Sequence, residues 1–315
     1  MKINYAGLIP ATVLPMTAGA GIDEPGLRRY MAHVARQGVS AVAINVDTGE
    51  GPHLWQEERV RVIEIVADEI GDRVPIVAGL GAAFTEQAVR YAREYQAAGA
   101  SALLIFPIGA YAGLPLEAEV PYRYHAAVAD ATGMPQILFH LTPELGGANL
   151  TPEVIERLCS VAPVEAIKDA SFDPVAFIRT RSAVKAARPE VKVLTGNDNF
   201  IYESFVLGAE GALLGFGAVP TRQLGEMIAL ALAGNHSAAK ELMDRLQPLV
   251  EAIFAPAVRN YRARAKEALV MQGILDRATV REPLLPISAE DRERVRRAME
   301  IAGELEPATI GPSGR

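Results

Sequence analysis

The sequence has little of several residue types, and each scarcity excludes a class of protein. Cys159 is the one cysteine among 315 residues, so an internal disulfide framework and a cysteine-based zinc site are both excluded. The net charge of −7 and the lack of a basic stripe with interleaved aromatic residues argue against a nucleic-acid partner. No run of 18 apolar residues occurs, so we predict no membrane-spanning helix. The first residues lack the apolar core of a signal peptide, and we expect a cytoplasmic location.

Lysine is also scarce, and one of the six lysines has an unusual position. Lys168 closes an apolar run within residues 164–171, and this run is typical of a buried parallel strand. Side chains alternate along a strand, so Ala166 and Lys168 share one face. If that face points into a barrel, desolvation lowers the pKa of the amine, which can then attack a carbonyl to form a Schiff base. Alternatively, Lys168 reaches solvent from the strand end. The other five lysines lie near the terminus, at a strand start or in helical patterns: Lys2, Lys185, Lys192, Lys240 and Lys266.

Eight strand-then-helix units fill about 230 residues and predict an α/β fold, a (β/α)8 TIM barrel. The strands are predicted at 5–14, 41–45, 75–78, 102–106, 136–139, 164–168, 191–194 and 211–214. A doubly wound sheet is the alternative, but the glycine-rich turn that it usually has after its first strand does not occur. We predict a barrel over residues 1–233, a C-terminal bundle of about three helices over 234–306, and a flexible tail over 307–315.

Four loops at the carboxyl ends of the predicted strands carry polar residues, and this is the end at which such barrels keep their active sites. The loops contain residues 47–50, 139–140, 168–169 and 196–198. In this combination the chain resembles the dihydrodipicolinate synthase / N-acetylneuraminate lyase family of class I aldolases, over roughly residues 6–275. The motifs that carry the resemblance are Thr48-Gly49-Glu50 followed by Glu57-Glu58-Arg59, then Ile167-Lys168-Asp169 and Gly196-Asn197-Asp198.

The resemblance implies a covalent mechanism without a metal or cofactor. Lys168 would form an imine with a 2-oxo acid such as pyruvate, while Thr48 and the N–H groups around Gly49 would bind the substrate carboxylate. The protonated imine is an electron sink, so an enamine can form and add to an aldehyde, break a C–C bond or expel water. Gly196 and Asn197 would line the substrate site. The resemblance further implies a homo-oligomer, a tetramer or a dimer.

Two positions depart from the family pattern together. The family's tyrosine at the end of strand five, which relays protons to and from the imine, is here Phe139, and the loop threonine that bonds to it is Asp47. We hypothesise that Asp47, with His140 as a second candidate, takes over the acid/base role. His140 should point to the strand face opposite Phe139, so a histidine that only bonds to nearby backbone is the alternative.

The loop after strand five, residues 141–147, has no arginine, whereas the synthase proper uses one there to hold its second substrate. We therefore predict an activity other than lysine biosynthesis, with Thr142 and Glu144 setting specificity for a neutral or polyhydroxylated aldehyde. Tyr111 is either a substrate-site residue shared with a neighbouring subunit or a packing aromatic. Glu50 and Glu58 precede or begin a helix, where carboxylates satisfy unpaired N–H groups, so we predict structural roles for both.

Three functions remain open at this point. The leading prediction is a Schiff-base lyase that performs aldol cleavage or condensation on a 2-oxo acid. A dehydratase of a 2-keto-3-deoxy sugar acid would use the same Lys168. A non-catalytic barrel that binds a 2-oxo acid is the third, and Phe139 in place of the relay tyrosine is its main support.

Overall fold

A computed structural model describes residues 2–148 and 150–305. Within these residues eight strands, β1 to β8, pair in parallel in the order β1-β8-β7-β6-β5-β4-β3-β2. The ring closes between β1 and β2 through a bridge from Ala11 to Ala43. The predicted (β/α)8 barrel is therefore confirmed. The strands are Leu8–Pro10, Val42–Ile44, Ile76–Leu80, Ala102–Ile105, Gln136–Leu141, Val164–Ala170, Lys192–Thr195 and Gly211–Leu214.

A helix follows each strand and covers the outside of the barrel. Several of these helices begin where the sequence predicts, because a side chain accepts a bond from an otherwise unpaired N–H group. Asp23 accepts from Gly26 N, Thr151 from Val154 N and Asp173 from Val175 N. The eight helices, α1 to α8, are Glu24–Ala35, Gln56–Ile70, Thr85–Ala97, Glu119–Thr132, Pro152–Cys159, Pro174–Ala187, Ile201–Val206 and Thr221–Leu232.

Alternation along the strands divides the core into two layers. Ala166 belongs to the cluster that fills the barrel, together with residues such as Leu104 and Leu213. Its neighbour Ile167 belongs to the larger cluster between the strands and the helices. Lys168 follows on the same face as Ala166, as the period of two predicts.

Most strands differ from the prediction by one or two residues at an end, and two of the differences, in β1 and β6, affect how the site is built. β1 is shorter than 5–14 because the chain leaves the ladder with β8 after Pro10 and crosses to β2, where Thr12 N donates to Ala43 O. β6 continues for two residues beyond Lys168, because Asp169 and Ala170 pair with the longer β5. Lys168 therefore lies just inside the strand end.

The C-terminal extension contributes three α-helices within the described residues. They are α9 (His236–Ile253), α10 (Tyr261–Met271) and α11 (Ala289–Ala302). α9 packs against α8 and α11, and α10 packs against α9 and α11. Arg264 fixes the turn between α9 and α10 by donating to Ile253 O and Ala255 O.

The predicted flexible tail, residues 307–315, lies outside the residues that the structure describes. None of the helices over residues 2–148 and 150–305 is long and apolar enough to cross a membrane.

Candidate active site

Lys168 lies in the carboxyl-terminal mouth of the barrel. It pairs with Phe139 of β5 and Leu194 of β7, and its side chain is half-buried. Its Nζ lies 4.5 Å from the centroid of the Phe139 ring. A Cβ added at Gly196 would lie 2.4 Å from Lys168 Cε. The Lys168 side chain therefore lies between the face of the Phe139 ring and the backbone at Gly196, where any side chain larger than hydrogen would clash with it.

The Lys168 amine is less basic than that of an ordinary lysine. Burial lowers the pKa of Lys168 from 10.5 to about 8, although the charges of Asp198 and Asp47 act in the opposite direction. With such a pKa roughly a tenth of the amines are neutral at pH 7, against about 0.03% for an unperturbed lysine. A neutral amine is the nucleophilic form.

Asp198 supplies negative charge near this amine. Burial raises the pKa of Asp198 to about 6, against the opposing effects of a backbone N–H bond and the Lys168 charge. The backbone contact is made by Phe216 N, which donates to Asp198 Oδ1 at 3.0 Å. Asp198 thus joins the loops after β7 and β8, and it is also ionised at neutral pH.

Asp47 is held in place by residues near the start of α10. Arg262 forms an ion pair with the Asp47 carboxylate and donates from Nε to its backbone carbonyl at 2.6 Å. Tyr261 donates its hydroxyl proton to Asp47 Oδ2 at 3.0 Å. Arg259, which is 48% exposed, lies 3.4 Å from Asp47 Oδ1. The C-terminal extension therefore forms part of the site.

The Tyr261 hydroxyl also lies 3.1 Å from Thr48 Oγ1. Because the single phenol proton is directed at Asp47, Thr48 is the donor in this second bond. Burial, followed by the charge of Asp47, raises the pKa of Tyr261 well above its ordinary value. The ring stacks on Phe254, with centroids 5.1 Å apart. The buried Tyr261 hydroxyl of the C-terminal extension therefore contacts the loop after β2, where the sequence predicts Asp47 and Thr48 as site residues.

These groups line a cavity of about 430 Å³. The barrel supplies its floor, and α9 with the segment before α10 supplies one side of its mouth. Five of the predicted site residues line it: Asp47, Thr48, Phe139, Lys168 and Gly196. Lining residues that the sequence reasoning did not include are Asp198, Gln247, Glu251, Phe254, Arg259 and Tyr261.

Six other predicted site residues are not among those that line the cavity: Gly49, Tyr111, His140, Thr142, Glu144 and Asn197. Asn197 holds the ends of β6 and β7 together, because its amide donates to Asp169 O and accepts from Phe172 N. Thr142 donates to Glu144 on the rim, and Tyr111 lines a smaller cavity that shares Phe139.

His140 points away from Lys168. Its Nδ1 lies 3.0 Å from Asp169 Oδ2 and 2.9 Å from Thr180 Oγ1 of α6. The alternation of β5 therefore places His140 between the barrel and its helices, whereas Phe139 lies inside. His140 is therefore not among the residues that line the cavity with Lys168, and the structure does not support the acid/base role that the sequence suggests for it.

Glu50 and Glu58 both have structural contacts, but not only those of a helix start. Glu50 forms an ion pair with Lys266 of α10, and both side chains are 0% exposed. Its second oxygen accepts from Arg281 N at 2.8 Å. Glu58 accepts from Trp55 N and also pairs with Arg281. These carboxylates attach the loop after β2 to the C-terminal extension.

Comparison with known proteins agrees with this geometry. The model of the dihydrodipicolinate synthetase family matches residues 4–302. The chain belongs to this family. A family member from Methylococcus capsulatus, a 4-hydroxy-tetrahydrodipicolinate synthase, is 32% identical over 300 residues, which are 95% of this chain and 99% of that protein. The synthase of the same name from Methanothrix thermoacetophila is 33% identical over 302 residues, covering 96% of this chain and 98% of its own.

Solved structures of family members share the fold over nearly the whole chain. The chloride-inhibited dihydrodipicolinate synthase from Acinetobacter baumannii, solved in complex with pyruvate, has a TM-score of 0.86 and 28% identity, and the match covers 96% of this chain and 100% of that one. At the level of the family, the protein is therefore a lyase of the class I aldolase type.

Proposed function

We propose that the protein is a Schiff-base-forming lyase that acts on a 2-oxo acid of the pyruvate type through Lys168. The observation that carries the proposal is the placement of a half-buried amine, with its pKa near 8, at the floor of a 430 Å³ cavity. Membership of the family supports the same assignment, and the pyruvate complex of the Acinetobacter baumannii relative makes pyruvate the first ligand to test.

In the proposed reaction the neutral Lys168 nitrogen attacks the oxo carbon. The N–C bond forms as the C=O π bond opens, one proton moves from nitrogen to that oxygen, and a second proton lets the oxygen leave as water. The products are a protonated imine and water, so no added cofactor is required. Thr48, which lines the cavity, would hold the substrate carboxylate, as the resemblance to the family implies. Loss of a C3 proton then gives the enamine, the common intermediate for aldol chemistry and for dehydration.

Borohydride trapping tests the proposal. The protein is incubated with pyruvate, reduced, digested and mapped by mass spectrometry. We expect the adduct of pyruvate at Lys168 and no adduct at the other five lysines. An unmodified Lys168 after saturating pyruvate and borohydride would contradict the proposal, whatever the physiological substrate is.

The rate of adduct formation should depend on pH through Lys168 itself. Since only the neutral amine attacks, the rate is expected to rise with pH and to reach half its plateau near pH 8, the pKa to which burial lowers Lys168. Asp198 stabilises the ammonium form, so Asp198→Asn should shift the half-point to lower pH. Stopped-time trapping between pH 6 and 10.5 measures both. A half-point near 10.5 in the wild type would contradict the desolvated amine.

The side of the cavity next to the loop after β5 carries an arginine from another part of the chain. Arg259 donates to Leu145 O at 3.2 Å, so its half-exposed guanidinium lies against the loop in which the sequence has no arginine. The expectation of a neutral second substrate rests on that missing arginine, and Arg259 supplies a cation at this rim. We therefore propose that a substrate with a carboxylate distal to the oxo group is accepted as well.

Arg259→Ala is expected to raise KM for such a substrate by about tenfold. This is the lower end of the effect of losing a hydrogen bond to a charged group, because the half-exposed guanidinium is screened by solvent. Pyruvate trapping at Lys168 should be unchanged. Steady-state kinetics with a pair of substrates that carry either a carboxylate or a methyl group at the distal position provides the control. Equal KM changes for both members of the pair would refute the anion site.

A further inference from the structure

Imine chemistry needs a group that moves protons, and Phe139 cannot do so. The Phe139 ring occupies the position beside Lys168, with its centroid 4.5 Å from Nζ. It has no ionisable or hydrogen-bonding group. Lining residues of the cavity that can give or take a proton are Asp47, Thr48, Asp198, Glu251 and Tyr261.

Tyr261 combines burial, access to the cavity and a continuous chain of hydrogen bonds. Thr48 donates to its hydroxyl, and the hydroxyl donates to Asp47. Asp47 in turn is held by Arg262, whose side chain is 2% exposed. The phenol oxygen is therefore fixed between a substrate-binding loop and a carboxylate, with the guanidinium of Arg262 on the far side of the carboxylate.

Gly215 lies next to the hydrogen-bonded groups Thr48 and Tyr261, and it also lies next to Asp198. A Cβ built on Gly215 would lie 3.1 Å from Thr48 Oγ1 and 3.4 Å from Tyr261 Cε2. It would also lie 3.6 Å from Asp198 Oδ2, and Asp198 lines the same cavity as Lys168. The absence of a side chain at Gly215 thus leaves room where Thr48, Tyr261 and Asp198 converge.

We propose that the Tyr261 hydroxyl, bonded to Thr48 and Asp47, is the catalytic proton relay for the imine formed at Lys168. This inference rests on the proposed Schiff-base function. In the first transfer Tyr261 gives its proton to the oxygen of the tetrahedral adduct and receives one from the nitrogen. In the second it gives a proton to the leaving hydroxyl and takes one from hydronium at the cavity mouth, so the proton consumed appears as the positive charge of the imine. Tyr261 is unchanged at the end, and one water is released.

The other groups fit this assignment less well. Asp198 is already bonded to the backbone of Phe216, and its charge favours the ammonium form of Lys168. Glu251 lies on the exposed face of α9. Burial and the charge of Asp47 hold the pKa of Tyr261 well above its ordinary value, so the phenol stays protonated even in mildly alkaline solution and gives a proton only as it takes another.

The test uses pyruvate and does not require the physiological substrate. In D2O, formation of the imine and enamine exchanges the methyl protons of pyruvate, and NMR follows the loss of that signal. Tyr261→Phe keeps the ring that stacks on Phe254 and removes only the hydroxyl. We expect its exchange rate to fall by about 10²- to 10⁴-fold, the range typical of a lost general acid or base. Borohydride trapping should still reach the wild-type end point, but more slowly.

Two further variants keep the test decisive. Tyr30→Phe removes a buried hydroxyl that donates to Ala218 O outside the cavity, and its exchange rate should equal that of the wild type. In the Tyr261→Phe background, Phe139→Tyr restores a phenol next to Lys168 and should recover part of the lost rate. An exchange rate in Tyr261→Phe within threefold of the wild type would overturn the relay. So would a loss that Phe139→Tyr leaves unrepaired, since a purely structural defect would behave in that way.

Failure of this inference differs from failure of the proposed function. If wild-type protein forms no adduct at Lys168, the Schiff-base function itself is wrong. If the adduct forms and Tyr261→Phe exchanges protons normally, only the relay assignment is wrong.

Discussion

Lys168→Met is expected to lose both the borohydride adduct and the exchange of pyruvate methyl protons, down to the rate without protein. Methionine keeps an unbranched side chain of similar length but has no nucleophilic nitrogen. Loss of a covalent nucleophile typically costs on the order of 10⁶-fold in turnover. NMR exchange in D2O and mass mapping measure the two losses separately.

The stability of Lys168→Met distinguishes lost chemistry from lost structure. Because burial disfavours the charged amine, replacing it with an apolar side chain should leave the free energy of unfolding unchanged or raise it. Lys192→Met is the matched control. Lys192 lies at the amino end of β7, paired with Glu210, and its removal should leave the adduct intact. Residual exchange in Lys168→Met above the protein-free rate would show that another group carries the reaction.

The largest effect on stability is expected at the Glu50–Lys266 pair. Both side chains are 0% exposed, and burial lowers the pKa of Lys266, although the charge of Glu50 opposes this effect. Removing one partner leaves the other charge buried without compensation. Lys266→Met is therefore expected to lower the free energy of unfolding by about 3–5 kcal/mol, measured by urea denaturation.

A double-mutant cycle separates the pair from its surroundings. Glu50→Gln combined with Lys266→Met removes both charges, and it should be more stable than the sum of the single changes predicts. Asp244→Asn is the matched control, because the Lys240–Asp244 pair has side chains that are 60% and 62% exposed. It should leave stability nearly unchanged. Strict additivity in the cycle would mean that the two buried groups do not interact.

The barrel could be predicted from the sequence because its signals are local. Strands such as Gly211–Leu214 and helices such as Pro174–Ala187 are short runs whose period and end signals lie within the run itself. The prediction that Ala166 and Lys168 share one face of the strand also follows from the alternation of side chains alone.

Half of the site could not be predicted, because it depends on contacts between distant parts of the chain. Asp47 meets Arg259 and Tyr261 across 212 and 214 residues, and Glu50 meets Lys266 across 216. The sequence does contain one signal. The spacing of three basic residues, Arg259, Arg262 and Lys266, is that of one helical face. In the structure this face lies against the loop after β2, which carries Asp47 and Glu50. This spacing predicts that three basic side chains lie on the same side of a helix, but it does not identify the residues that they contact, and it gives no role to Tyr261.

The attachment of α10 to the loop after β2 has a consequence for how the protein can diversify. Lys168 lies on a strand, whereas part of the cavity rim belongs to a short cassette, residues 255–259, which precedes the proposed relay Tyr261 and is anchored from behind by Arg264 and Lys266. Exchanging that cassette between paralogues, with both anchors retained, would alter substrate preference without disturbing the nucleophile. A library randomised at residues 255–259, with Tyr261 and Arg262 kept, is therefore expected to change which substrates react with Lys168.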